Sequence, residues 1–160
     1  MRGGALPPAL LCAALGFALA FAPRRTMLLA QAVMVIVALA ASFLILPIGW
    51  QDGVFLGCWI SVAATALTVH LPKGLGRTLA LFLALNAGIW VGAVISTAGD
   101  RLDLFKSLPV ALVCWPAAWL VARNKGIVIK VVSSWLIAVA LLAAGLTIVP
   151  TPGYKPDHMD

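Results

Sequence analysis

Six apolar stretches follow one another along the chain, each about 18 to 24 residues long, the length a helix needs to cross about 30 Å of hydrocarbon. The first, Ala5–Ala22, opens on Pro7 and Pro8, which suit a helix start but not its interior. It ends at Pro23-Arg24-Arg25. Met27–Trp50 follows, with Pro47 near its far end, and Gln51-Asp52-Gly53 forms the turn. The third run, Val54–Leu71, closes at Pro72-Lys73-Gly74, and the fourth is Thr78–Ala98. A polar connection, Gly99 to Asp103, leads to the fifth, Leu104–Ala122, which carries Lys106 in its first turn and Pro116 near its middle, where a kink is expected. Arg123-Asn124-Lys125-Gly126 separates it from the sixth, Ile127–Val149. The tail, 150–160, is rich in proline and cannot continue the helix.

No water reaches the hydrocarbon core, so each run must satisfy its own backbone, and helices are the solution. A β-barrel would need alternating apolar and polar positions, which are absent. The expected fold is all-α: a polytopic transmembrane bundle of about six spans at 1–149, with an extracytoplasmic tail. The count drops to five if Ala5–Ala22 forms a shallow hairpin instead of crossing. That run also resembles a signal peptide, since Arg2 precedes it and Ala20-Phe21-Ala22 mimics a cleavage box. Pro23 after the cut would obstruct cleavage, so the segment is expected to stay.

Composition agrees. Hydrophobic residues fill 63% of the 160 positions and charged residues 10%, too apolar for a soluble domain of this length to bury. The net charge of +6 would point to nucleic acid in a soluble protein. Here the basic residues sit at the ends of apolar runs, so they set membrane orientation and no nucleic-acid partner is expected. Arg24, Arg25, Lys73, Arg77, Arg123, Lys125 and Lys130 fall on one side. All five acids, Asp52, Asp100, Asp103, Asp157 and Asp160, fall on the other. The positive-inside rule puts the basic side in the cytoplasm and both termini outside. The expected location is a bacterial inner membrane.

The fourth run is the most informative. Ala80, Ala84, Gly88, Gly92 and Ser96 recur every four residues, a small stripe that lets another helix come close. A helix of the same chain is the expected partner; a second copy would also fit. Asn86 lies about 200° around the helix from Gly88, with Phe82, Trp90, Ala93 and Thr97 near it. An amide at that depth needs a partner. The third run offers one, because Gly57, Ser61, Thr65 and Thr68 share a face. Asn86, Ser61, Thr65, Thr68 and Trp90 are therefore the candidate substrate path. Such hydroxyls can also bond back to their own helix.

Other candidates are thinner. His70 ends the third helix and is a candidate proton-linked residue or a wet helix end. Two histidines on opposite sides make no zinc site, and Asp157 and Asp160 beside His158 read as a solvated tail. Cys12, Cys58 and Cys114 lie inside apolar runs and read as buried thiols, not disulfides. Trp50 and Trp59 suit the outer interfacial belt, whereas Trp90 and Trp115 look too deep for it. No metal, cofactor or catalytic residue is expected, and no clustered acid, base and nucleophile supports an enzyme. Each half holds three helices, as inverted-repeat transporters do, but the halves share no defensible pattern. The expected function is a small-solute transporter or channel for a neutral or small substrate. The alternative is an accessory or scaffold subunit of a larger membrane complex. Besides the lipid bilayer, its partners would be further copies of itself or such a complex.

Overall fold

Proline and glycine set the element boundaries more tightly than hydropathy alone suggests. The computed structural model describes residues 6–72, 74–98 and 106–148. Among them the elements are helices: α1 Leu6–Leu19, α2 Arg24–Ala41, α3 Gln51–Leu67, α4 Arg77–Ala98, α5 Cys114–Ala122 and α6 Gly126–Ile148. Three 3₁₀ turns accompany them at Ile48–Trp50, Thr68–His70 and Leu108–Val113. The tail 150–160 and the connection Gly99 to Asp103 lie outside the described residues.

Four helical stretches are long and apolar enough to cross a membrane: Arg24–Ala41, Gln51–His70, Arg77–Thr97 and Gly126–Ile148. Leu6–Leu19 and Leu108–Ala122 are apolar but shorter. All six expected runs are thus helical, and length alone supports four crossings.

The second run does not continue to Trp50. Its helix ends at Ala41, where the Ser42 hydroxyl donates to the Leu39 carbonyl at 2.7 Å. Pro47 holds Leu46 away from helical geometry, and Gln51-Asp52-Gly53 opens α3 instead of forming a separate turn. Pro116 lies near the middle of the continuous helical stretch Leu108–Ala122, which changes its winding two residues earlier. It is the third residue of α5, preceded by a 3₁₀ segment that carries Pro109 at its start. Neither proline has an N–H to donate, so the winding tightens to i→i+3 bonds before α5 begins. At its far end α5 closes with Asn124 at φ 59°. The Asn124 and Lys125 amides return to the carbonyls of Val121 at 3.0 Å and Leu120 at 2.9 Å, a Schellman cap.

α1 is the centre of the bundle. Leu11, Cys12, Ala14, Leu15 and Leu19 have no exposed surface, and α3, α4, α5 and the Leu108–Val113 turn all pack on it. Its lack of a polar face follows, since a helix enclosed all round is apolar all round. Leu6 and Pro7 share a pocket with Phe55, Trp59, Leu146 and Thr147 at one end of the molecule. At the other end the Phe21 carbonyl accepts from the Leu75 amide at 3.4 Å, and the Phe21 ring faces Gly126.

α2 and α4 run parallel in close contact. A Cβ at Gly88 would lie 2.8 Å from the Met34 carbonyl and 2.8 Å from Val37 Cβ. One at Gly92 would lie 2.6 Å from the Ala38 carbonyl and collide with Ala41 Cβ. The small stripe therefore meets a helix of the same chain, as expected from its spacing.

Gly88→Leu or Gly92→Leu should destabilise the protein by about 2 kcal/mol or more, because the obstructing atoms include backbone that cannot rotate away. Gly145→Ala is the control, since a Cβ there meets nothing within 4 Å. Thermal melting in detergent should show the first two well below wild type and the control unchanged or higher.

Candidate functional site

α3 and α4 are antiparallel and meet through four side positions one helical turn apart, Gly57 and Ser61 on α3, Trp90 and Asn86 on α4. Gly57 has no side chain, so the Trp90 indole lies against its backbone; a Cβ there would reach Trp90 Cζ2 at 2.7 Å. From that seat Trp90 Nε1 donates to Asn86 Oδ1 at 3.1 Å. Asn86 Nδ2 in turn donates to Ser61 Oγ. Ser61 is buried and Asn86 half-buried. The result is a short polar chain inside the bundle, with both ends of the Asn86 amide in use.

The expected path is thus brought together in part. Ser61, Asn86 and Trp90 form one network. The Thr68 hydroxyl turns to its own helix and donates to the Thr65 carbonyl at 2.7 Å. Thr65 Oγ1 is fully buried and has no hydrogen-bond partner. On the opposite face of α4, Ala80, Ala84, Gly88 and Gly92 are buried. Ser96 donates to the Ala93 carbonyl at 2.8 Å.

Trp90 also lines a pocket of about 570 Å³ with Leu44, Leu46, Gly49, Trp50, Gly53, Val54, Ile89 and Ala93. The segment between α2 and α3 forms its outer wall. No charged residue lines it. A Cβ at Gly49 or Gly53 would meet nothing within 4 Å, so both glycines leave open volume.

Elsewhere, His70 Nε2 lies 3.2 Å from Ser134 Oγ, and Ser134 donates to the Lys130 carbonyl at 3.0 Å. Ser133, its neighbour, is buried without a partner. Cys12, Cys58 and Cys114 are free and buried. Among the described residues no three His, Cys, Asp or Glu side chains gather.

Two tryptophans differ from their sequence assignment. Trp59 is only 7% exposed and packs inside the bundle, because α1 covers the face that the belt reading left open. Trp115 carries the Arg24 guanidinium 5.7 Å from its ring centre, so it sits at the level of charged groups, not deep in hydrocarbon.

Sequence reasoning passed over Gln31. Its Nε2 donates to the Ala111 carbonyl at 3.1 Å and to Cys114 Sγ at 2.8 Å, clasping the 3₁₀-to-α junction. An amide alone in an apolar run was the available signal. Gln51 Nε2 similarly reaches the Thr97 carbonyl at 3.2 Å.

The described residues define an all-helical fold with four candidate membrane-crossing helices and a part-buried Ser–Asn–Trp network beside an apolar pocket. Comparison with protein-family models, curated proteins and solved structures finds no match to the chain.

Asn86→Leu should cost about 1 to 3 kcal/mol, because the half-buried Trp90 indole N–H loses its acceptor while Ser61 can turn to its own helix. Combined with Trp90→Phe, the loss should be smaller than the sum of the two single losses by about 1 kcal/mol. Additive losses in detergent unfolding would show that the network contributes nothing.

Proposed function

We propose that this chain is a small carrier or channel-like protein of a bacterial inner membrane, acting on a neutral, largely apolar solute. The observation that carries the reading is the pocket of about 570 Å³ walled by Trp90, whose indole is anchored through Asn86 to Ser61. Its volume is in the range of small-molecule sites, and its uncharged lining disfavours ions. Trp50 and Trp90 offer faces for flat or aliphatic groups, with Asn86 holding the Trp90 ring in position. Movement of Trp90 off Gly57 is the step that would extend the pocket inward.

The reading takes the chain to cross six times, with the two shorter apolar helices counted as crossings. α1 reaches from the level of Phe55 and Leu146 to that of Leu75 and Gly126. Its 14 residues span only about 21 Å. Enclosed by other helices, it need not match the hydrocarbon thickness. The segment ending in α5 returns to the same end. Arg24, Arg25, Arg77, Arg123 and Lys125 then gather on the cytoplasmic side, with the C-terminal tail outside.

The second reading, an accessory subunit of a larger membrane complex, draws on the outward face of α6, where Val131, Trp135, Leu142 and Leu146 are all exposed. Gly53→Leu separates the two. It fills the pocket without strain, so melting should stay at or above wild type. Flux or ligand-induced stabilisation against a panel of neutral metabolites in liposomes should be lost. Unchanged flux in a well-folded variant, or no response in wild type, would favour the subunit reading.

Orientation has its own test. A reporter active only outside the cytoplasm should work when fused after Asp160, and a cytoplasm-only reporter working there would overturn the topology.

A further inference from the structure

α2 begins with two arginines at the positive end of its own dipole. Pro23 precedes them with no side-chain cap, and its first turn holds no acid. That arrangement is unfavourable unless an external anion offsets it. The Arg24 guanidinium lies 5.7 Å from the centre of the Trp115 ring on α5. One turn further along α5, Trp119 has the Arg123 guanidinium 4.0 Å from its ring centre. Trp115 and Trp119 fall at i and i+4 on α5, and Arg123, the residue that caps its end, lies over the second ring. The two rings are 41% and 54% exposed.

We propose that this Arg24–Trp115–Trp119–Arg123 face binds the phosphate headgroup of an anionic phospholipid. Each guanidinium lies over an indole ring, and its N–H groups can make a bidentate phosphate contact. Among the described residues no carboxylate competes for them. Among the described residues the single one is Asp52, which lies at the opposite end of the bundle beside Leu6 and Thr147. The uncapped first turn of α2 adds the positive end of its dipole beside Arg24. Exposed indoles paired with arginines are the side chains of a hydrocarbon border, and a lipid phosphate is the anion such a border offers, its acyl chains lying along α5. Basic residues between helices at the membrane surface bind lipid headgroups in this way. The inference stands apart from the pocket near Trp90 and from which end faces the cytoplasm.

The test uses the full chain in detergent, titrated with phosphatidylglycerol or with phosphatidylcholine of the same acyl chains. Thermal midpoint and lipid adducts in native mass spectrometry are read together. Wild type should be stabilised by the anionic lipid and retain it as an adduct. Arg24→Gln or Arg123→Gln should weaken apparent affinity roughly fivefold each, and both together about thirtyfold. Lys130→Gln, an exposed basic residue on α6, should bind as wild type. If Arg24→Gln does not fold, Arg24→Lys replaces it; it keeps the charge but loses the planar fork and should still bind more weakly. Equal response to both lipids, or wild-type preference in the double variant, would overturn the proposal. So would inorganic phosphate alone reproducing the stabilisation, which would assign the face to a soluble anion.

Discussion

A main-chain amide or carbonyl inside hydrocarbon has no water to turn to, and the architecture is arranged around that constraint. It makes the apolar runs helical. It also makes each interruption of a helix a local problem with a visible remedy. Where prolines tighten the chain at Leu108–Val113, Gln31 crosses from α2 to take up the Ala111 carbonyl. Where α2 stops, the Ser42 hydroxyl returns to Leu39. Near the end of α4, Gln51 reaches the Thr97 carbonyl. The polar side chains within the bundle are few, and several of them serve the backbone.

Helix spacing is the second consequence. Because lipid offers as much apolar contact as a neighbouring helix, association depends on close fit. α2 and α4 achieve it at Gly88 and Gly92, where backbone meets backbone. α3 and α4 achieve it differently, by seating a tryptophan on Gly57 and tying its nitrogen to an amide. α4 therefore uses opposite faces for two kinds of contact, one shaped by absent side chains and one by a hydrogen-bonded aromatic. The pocket beside Trp90 exists because the second contact is bulky and the α2–α3 connection bends away from it.

Much of this was legible in the chain before any coordinates. A four-residue repeat of small side chains has one physical use in a membrane helix, and it met α2. A lone Asn86 in an apolar run has to find a donor or acceptor, and Ser61 on the neighbouring helix supplied one. The role of Trp90 was not legible, because placing its ring on Gly57 requires the register between α3 and α4, which hydropathy does not carry. Gln31 escaped for a related reason: its partner is a carbonyl exposed by winding at Ala111, 80 residues away. Trp59 lies at the expected end of the bundle, beside Asp52 and Thr147, but faces inward, and Trp115 lies beside the Arg24 guanidinium; neither neighbour can be read from the ends of an apolar run. In the fold, α1 covers Trp59. The central position of α1 was hidden too, since an all-apolar helix looks alike whether lipid or protein surrounds it.

That position has a bearing on how the protein is made. α1 is synthesised before every helix that encloses it, and α6 is completed only after about 130 further residues, on the order of ten seconds of translation. On the six-crossing reading proposed above, the helix meets lipid first and its neighbours one by one as they are made. A serine or asparagine on it would spend that time with no partner. Leu6–Leu19 contains none, so the same surface suits the lipid it meets first and the protein that later replaces that lipid.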